Sequence, residues 1–458
     1  ALNAIATVTG DSGGLVMLGI VGTIGTLDWL LTDYYDNEWV REGVNNKLKL
    51  KPLFEERSSR KEYGGKKVVY AHHTTRNASP FFCAEYGYFA EGDVQGGVDV
   101  TVDIRKIMSR VGPLTDDVIK DAANSEAAWE GVEENNFSAM VDDVARRQEL
   151  ALCGDGRGVL ALINDATPSG AVNMAVDSPM GFAGSTFGNR FLSKKFKIGA
   201  VDPATGLLRA GVVTVVSVNA AGTEVTFDAA PNAAWADNDY LVKVANTSVT
   251  DVIHTEFDKW PLGLMALFDD GTYKANYGGV DRTVVDNLNT YVQASVGALS
   301  VDGMQVSADA LETRVGGVTS IMLAHSSIRR LVIKLTQADR RYADSSLQRP
   351  DPGTVAFKQG DITVGEVPVI SIRDFPYGVL QGIAVEMAKM RRYVSTDGEW
   401  VTNNNGRWFP AGLGSTALDA KEAWYRCRYQ NWSKNPAAAW RMDGITGASV
   451  TVVRPLGD

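Results

Sequence analysis

Hydrophobic residues follow the period of an α-helix most clearly in residues 126–152. Phe137, Met140 and Val144 are spaced three or four residues apart, and no proline interrupts the segment. Acidic residues lie in its first half and two arginines lie near its end, which is the order that the helix dipole favours. At 1.5 Å per residue the helix would be about 40 Å long, several turns more than an average globular helix. The pattern predicts one long, half-exposed helix.

Glycines are expected to shape this helix and to end it. Gly131 lies in its interior, where glycine is about 1 kcal/mol less favourable than alanine, so a bend is expected there. Gly154, Gly156 and Gly158 follow the helix and are expected to terminate it. Residues 159–163 are then apolar, which predicts that the chain enters a core.

The segments before the helix have the two-residue period of β-strands. In residues 98–104 valines alternate with polar residues, and residues 66–73 are also strand-like. The residues between them, 74–97, are rich in glycine and aromatic residues, and a loop of this length is unusual within a compact monomer. An isolated hairpin is only marginally stable in water. We therefore predict a two-stranded arm that packs against another copy of the chain.

The remainder of the chain mixes strands and helices. Residues 191–245 contain β-rich runs and show no helical period, which predicts a small β insertion. Residues 281–299 carry apolar residues on one helical face, with Asp281 as the N-cap, and predict a helix. These elements, together with those that follow, predict a sheet covered by helices. The other predicted elements are strands within 212–218, 225–227, 240–244, 318–324, 367–372, 379–386 and 420–445, a helix that begins at Ser326, and an exposed loop at 339–360.

Composition limits the possible classes of function. The chain has 458 residues, 45% of them hydrophobic, which is enough for two or three domains. Its net charge of −10 argues against a dedicated nucleic-acid binder, because duplex phosphates are bound by clustered Lys and Arg. Cys83, Cys153 and Cys427 are far apart and lack the spacing of metal ligands, which predicts reduced thiols.

Residues 13–31 carry almost no charge and are about as long as a membrane span. Gly14, Gly19, Gly22, Gly25 and Asp28 interrupt them, and no Lys or Arg precedes them as in a signal peptide. We therefore interpret the N-terminal region as an arm that becomes buried against neighbouring subunits. A start at Ala1 is what removal of an initiator Met would leave.

No combination of residues indicates an enzyme, a cofactor or a metal site. The glycines at 154–158 follow a helix, whereas a dinucleotide loop follows a strand and opens a helix. His72 and His73 are adjacent, so on a strand they would point to opposite faces and could not share a metal. His254 and His325 lack a neighbouring ligand pattern. A structural protein is therefore the stronger hypothesis.

The order of these elements resembles that of the major capsid proteins of tailed double-stranded DNA phages, the Hong Kong 97-type fold. Residues 146–158 resemble the end of the spine helix of that family, and residues 365–370 resemble its late strand. Residues 423–428 and 435–440 resemble its closing strand and the turn that contains proline. The β insertion is a departure from the minimal plan of the family.

The resemblance implies an α+β fold with a peripheral (P) domain, an axial (A) domain and an extended (E) loop. It implies an N-terminal arm at 1–62, the E-loop hairpin at 63–107, a P-domain with the spine helix at 108–170, a connector at 171–190, the β-rich insertion at 191–250, the A-domain at 251–400 and the P-domain return strands at 401–458. The expected inter-subunit contacts at the E-loop tip are Phe81, Phe82, Tyr86, Tyr88 and Phe89.

The function that this resemblance implies is structural. Hexamers and pentamers of the chain would form an icosahedral shell around double-stranded DNA, bound without sequence specificity, with no membrane and no cofactor. Assembly would take place in the host cytoplasm, with portal and scaffold proteins and a cement or decoration protein as expected partners. Some members of the family form an isopeptide bond from an E-loop lysine. Residues 74–97 contain no lysine, so we expect no covalent crosslinks.

Two other classes of protein remain open. An encapsulin-like compartment would have the same fold but would enclose protein cargo instead of DNA. A hydrolytic enzyme with a β binding module would be a discrete monomer or dimer with turnover.

Overall fold

The computed structural model describes most of the chain after residue 49. The described residues are 50–58, 67–83, 85–88, 91–115, 126–182, 191–219, 222–343, 363–364, 367–402, 408–410 and 420–446. Most of the predicted N-terminal arm and residues 344–360 of the predicted exposed loop lie outside them, whereas residues 339–343 of that predicted loop belong to a helix. Two compact units make up the chain. Of the described residues, those within 109–140 and 400–425 form the first unit, and the others form the second.

The described residues contain the following strands and helices. The strands are β1 Glu55–Ser58, β2 Lys67–Thr75, β3 Gly96–Asp103, β4 Arg105–Thr115, β5 Val159–Ile163, β6 Asn173–Asp177, β7 Lys197–Val201, β8 Leu208–Val218, β9 Glu224–Phe227, β10 Tyr240–Lys243, β11 Asn276–Tyr277, β12 Val280–Asp281, β13 Tyr291–Gln293, β14 Gly297–Ala298, β15 Ile321–Ala324, β16 Thr363–Val364, β17 Val367–Ser371, β18 Leu380–Ile383, β19 Met390–Trp400, β20 Trp408–Pro410, β21 Ala420–Ser433, β22 Ala439–Met442 and β23 Ile445–Thr446. The helices are α1 Glu126–Cys153, α2 Leu264–Leu267, α3 Val301–Val315, α4 Ser326–Ala343 and α5 Val385–Ala388. The fold is therefore α+β and rich in β structure.

Helix α1 confirms the long helix that the hydrophobic period predicts. It has 28 residues and ends at Cys153, directly before the first of the three glycines. Gly156 and Gly158 have φ values of 87° and 74°, a region that glycine enters without steric cost. A Cβ on Gly158 would lie 2.4 Å from the carbonyl oxygen of Glu256, so only glycine fits there. The chain then enters the buried strand β5, as predicted.

The helix predicted at residues 281–299 is wrong. The segment forms short strands and a single 3-10 turn, Asp286–Leu288. The reason lies in Arg282, which is fully buried and donates hydrogen bonds to the carbonyl oxygens of Leu288 at 3.0 Å and of Ala266. A helix forms instead at α3, where the Ser300 hydroxyl accepts from the N–H of Gly303. We did not predict α3 from the sequence.

A closed six-stranded barrel in the second unit has the strand order β10–β5–β6–β9–β8–β7. Its neighbours pair antiparallel, for example β10 with β7 through Tyr240 and Val201. Leu160, Ile198 and Leu241 on its strands are all inaccessible to solvent. The β runs predicted in residues 191–245 are confirmed, but they do not form a separate insertion. Strands β5 and β6 come from before residue 191, and they are needed to close the barrel.

A second sheet in the same unit has the order β13–β22–β18–β15–β17–β16, and it mixes parallel and antiparallel pairs. Helices α3 and α4 pack on it, which confirms the predicted α/β arrangement. Strand β22 lies within this sheet although it follows residue 400. The ring of Trp440 on β22 lies against Gly382 of the neighbouring strand β18. A Cβ on Gly382 would lie 2.2 Å from this ring, so the absence of a side chain there allows the close packing.

A buried ion-pair cluster lies beneath this sheet. Arg441 and Asp269 have no solvent-accessible side-chain surface, and their N–O distance is 2.9 Å. Arg441 also donates to Asp443 at 2.9 Å and to the carbonyl oxygen of Phe268 at 2.8 Å. Burial opposes its charge, but Asp443 and Asp269 raise the pKa of Arg441. Because Arg441 bonds both to Asp269 and to the carbonyl oxygens of Met265 and Phe268, the cluster holds α2 and β22 in one arrangement.

The first unit is described by fewer residues. In it β20 pairs antiparallel with β21 through Trp408 and Ala423, and β4 pairs with β21 as well. The rings of Phe409 and Trp424 are stacked with centroids 4.5 Å apart. In the second unit, β1 pairs in parallel with β19.

Candidate subunit-contact surface

The predicted arm is present as an antiparallel ladder of β2 and β3. The register pairs Lys67 with Asp103 and continues to Thr75 and Gly96, with one irregularity after His73. An ion pair of 3.3 Å joins Lys67 to Asp103 at the base of the ladder. We call β2, β3 and the residues between them the arm, and residues 76–95 the arm tip. The structure thus confirms the hairpin prediction.

The base of the arm packs into the core of its own subunit. Val68, Val100 and Val102 are buried. Tyr70 lies edge-on to the indole of Trp432, at 5.9 Å between ring centroids, and accepts a hydrogen bond from the indole N–H. Burial raises the pKa of Tyr70, so its phenol stays protonated at neutral pH. These contacts fix where the arm leaves the subunit.

Gly278 allows the base of the arm to approach this closely. Its carbonyl oxygen accepts from the N–H of Thr101 at 2.8 Å. A Cβ at this position would lie 2.4 Å from Val100 and 2.9 Å from the ring of Trp432. Its φ of 60° is also a conformation that glycine adopts at low cost. Gly278 is therefore required for the contact between arm and core.

Asp93 organises the start of the arm tip. One carboxylate oxygen accepts from the N–H of Ala78 at 2.9 Å, and the other accepts from the N–H of Val94 at 2.8 Å. The Asn77 amide donates to the carbonyl oxygen of Asp93 at 2.8 Å. The backbone N–H groups of Ala78 and Val94 lower the pKa of Asp93. These bonds join the two ends of a loop that would otherwise cost considerable entropy to order.

The aromatic side chains of the arm tip do not pack on their own subunit. Phe81 is 65% exposed, Phe82 103%, Tyr86 100% and Tyr88 95%. The structure does not describe Phe89. Large aromatic side chains are normally among the more buried residues of a protein, and a group of them on the surface marks an interaction site. The four described side chains therefore form a surface that needs another molecule to cover it.

Sequence reasoning identified the aromatic residues of the tip but not the residues that position them. Asp93 follows Gly92 in an unpatterned loop, and its role depends on Ala78, fifteen residues earlier. Trp432 and Gly278 lie far along the chain from Tyr70 and Val100. The one available signal for Gly278 is the Gly278-Gly279 pair, which is typical of a tight turn. Gly131 lies inside α1, and the structure does not describe its surroundings.

The described residues show little else that resembles a site of chemistry. No group of three His, Cys, Asp or Glu among them could hold a metal ion. Cys83 is exposed, Cys153 and Cys427 are buried, and none of these three described residues forms a disulfide. Of the helices in the described part of the chain, none is both long enough and apolar enough to cross a bilayer.

Comparison with known proteins gives similarities at the level of structure. No protein-family model matches the chain, and no curated protein sequence does so. A chain of the capsid asymmetric unit of cyanophage A-1(L) is 12% identical, with a TM-score of 0.48, over 91% of this chain and 96% of that one. A capsid chain of a native GTA particle is 11% identical, with a TM-score of 0.45, over 93% and 100%. A chain of Mycobacterium phage Bobi is 11% identical, with a TM-score of 0.41, over 93% and 99%.

Proposed function

We propose that the chain is a structural subunit of a self-assembling protein shell. The observation that carries this proposal is the arm, which holds a group of exposed aromatic side chains away from the subunit on a fixed two-stranded ladder. A second molecule must cover that surface, and a repeated subunit offers one identical acceptor for every arm. Such an assembly is stabilised by many repeated contacts and needs no catalysis.

Within this class, the particular protein we propose is the major capsid protein of a tailed phage. The order of hairpin arm, long helix ending at glycines, α/β sheet and closing strands resembles that family along nearly the whole sequence. In this proposal the arm is the E-loop, α1 is the spine helix, and residues 251–400 contribute most of the A-domain. Hexamers and pentamers would enclose double-stranded DNA in the virion. Portal, scaffold and cement proteins are the partners that this proposal implies.

The positions of two strands support a revision of the proposed domain limits. Strand β22, Ala439–Met442, belongs to the sheet of residues 291–383, so the A-domain is proposed to include it. Strands β5 and β6 belong to the barrel, so the β-rich part is proposed to begin before residue 191. The remaining limits stay as predicted.

Deletion of the arm tip tests the proposal. None of the described residues within 77–92 is buried, so replacing this segment by a short Gly-Ser turn should leave the circular dichroism spectrum unchanged and give a monomeric or capsomer-sized species. A matched control replaces residues 203–206, the β7–β8 turn, by Gly-Ser of equal length, and should assemble normally. Stable, full-sized particles from the arm deletion would contradict the proposal that arm contacts hold the shell together.

A further inference from the structure

A cavity in the second unit has a volume, a lining and a charge that are compatible with binding the arm tip of another copy. Its volume is about 490 Å³, within the range of pockets that hold several side chains or a ligand. Pro52, Leu53 and Val385 give it apolar walls that are accessible to solvent. The cavity is partly open to solvent, so a loop from outside can enter it.

The charges that line the cavity have mostly one sign. Lys389, Arg391 and Lys434 are cationic, and Glu386 is the one carboxylate among the lining residues. This excess of positive charge is unusual in a chain whose net charge is −10. A complementary partner should present carboxylates next to apolar or aromatic side chains.

The arm tip has this chemistry. Residues 76–95 contain three carboxylates, Glu85, Glu91 and Asp93, and one cation, Arg76. Glu85 lies between the exposed aromatic side chains along the loop, and Glu91 and Asp93 follow them. Because the described aromatic side chains of the tip are 65–103% exposed, the tip does not occupy the cavity of its own subunit. A neighbouring copy is the partner that every subunit of a shell has available.

The backbone at the edge of the cavity supports a role for Lys389 in binding. Lys389 has φ 46° and ψ 52°, the left-handed region, at the end of α5. Glycine or asparagine is common at this helix position, and a lysine is strained there. Residues with a strained backbone concentrate at binding and catalytic sites. At such sites a side chain is kept for its function although it lowers the stability of the fold. The side chain of Lys389 is exposed beside the cavity.

We propose that the arm tip of one copy docks in the cavity beside Lys389 of a second copy. The aromatic side chains enter between Pro52, Leu53 and Val385, and the carboxylates of the tip face the cations of the cavity. The inference rests on the proposed function, because it names the acceptor surface of the same arm.

Charge reversal on both sides tests this contact. We would compare the wild type, Lys389→Glu, the tip variant Glu85→Lys/Glu91→Lys, and the combination of all three substitutions in one chain. The critical concentration for assembly is measured by light scattering, and folding by thermal unfolding. Each reversal alone should raise the critical concentration about three- to tenfold, because like charges would meet. The combination should lower it below the value of the tip variant alone, since the substitution at residue 389 removes one cation from the cavity that the reversed tip meets and adds one carboxylate to it. Lys334→Glu on α4, which makes the same change in charge away from the cavity, should leave it unchanged.

A second pair keeps the test valid if Lys389→Glu does not fold. Lys389→Gly removes the charge and places glycine in a left-handed position, so it should unfold at the same temperature as wild type or higher. It should still raise the critical concentration, and adding Glu85→Gln/Glu91→Gln should increase it less than additively. If the combination assembles no better than the tip variant alone, or if the single variants behave like Lys334→Glu, the docking contact is wrong while the shell function stands. If the wild-type protein forms no assembly at all, the proposed function fails as well.

Discussion

Truncation of a single aromatic side chain in the arm tip should weaken assembly strongly without changing the stability of the subunit. Phe82 and Tyr88 are 103% and 95% exposed, so their side chains make almost no contact that folding depends on. Surface substitutions of this kind usually change the free energy of unfolding by less than about 0.5 kcal/mol. Phe82→Ala and Tyr88→Ala should therefore unfold at the wild-type temperature.

The expected loss in assembly follows from the area that docking would remove from water. A fully buried Phe or Tyr side chain covers about 150–250 Å². If docking buries half of that, about 100 Å², the contribution is about 2.5 kcal/mol per side chain at about 25 cal/mol per Å². This corresponds to a factor of about 60 in the association constant of each contact.

The assay is the critical concentration of assembly, measured by light scattering on purified protein with sedimentation as a second readout. Leu207→Ala and Val318→Ala provide matched controls, because both side chains are exposed hydrophobic residues outside the arm. These controls should assemble as the wild type does. If Phe82→Ala and Tyr88→Ala assemble at the same concentration as the controls, the aromatic side chains do not form the contact and the reasoning is refuted.

Four further predictions concern the core, the arm and the mature particle. Arg441→Met should lower the free energy of unfolding by about 3–5 kcal/mol in urea titrations, because it leaves Asp269 buried without its partner; a loss below about 1 kcal/mol would contradict this. The depressed pKa of Asp93 means that its bonds are fully present above the ordinary carboxyl pKa and are lost as the pH falls through the lower, folded value. Amide exchange at Ala78 and Val94 should therefore lose protection in acid, and Asp93→Asn should remove this pH dependence; a loss of protection in acid that is the same in the variant and in the wild type would be evidence against it. Gly131→Ala should slow expansion of the shell in time-resolved scattering, and a native rate would place any bend elsewhere. Mature particles boiled in detergent should run as one band near 49.3 kDa, whereas a ladder would reveal crosslinks despite the lysine-free tip.

The elements with a strong local pattern could be predicted from the sequence. The stripe through Phe137, Met140 and Val144 predicted α1 nearly to the residue, because a long periodic segment has few alternatives. The alternation of Val98, Val100 and Val102 likewise predicted β3 and the arm. In both segments local preference and tertiary packing favour the same structure.

The segments that sequence reasoning misassigned depend on distant partners. Residues 281–299 have a helical spacing of apolar residues, but the buried Arg282 donates to the carbonyl oxygen of Leu288, which a helix over this segment would use internally. Arg282 also donates to the carbonyl oxygens of Ala266 and Leu267, which no local pattern in 281–299 reveals. The barrel is closed by β5 and β6, and no local signal in residues 191–245 shows that two more strands are required. The bonds of Asp93 and the fit of Gly278 against Val100 are long-range contacts of the same kind.

Electron microscopy of the purified, full-length protein tests the central claim most directly. The account predicts closed icosahedral shells built of hexamers and pentamers, with the arm of each subunit lying over a neighbour. Particles produced in infected cells should contain double-stranded DNA, while a protein cargo would indicate a compartment of the encapsulin type. A discrete monomer or dimer that forms no larger assembly even at high protein concentration would contradict this proposal.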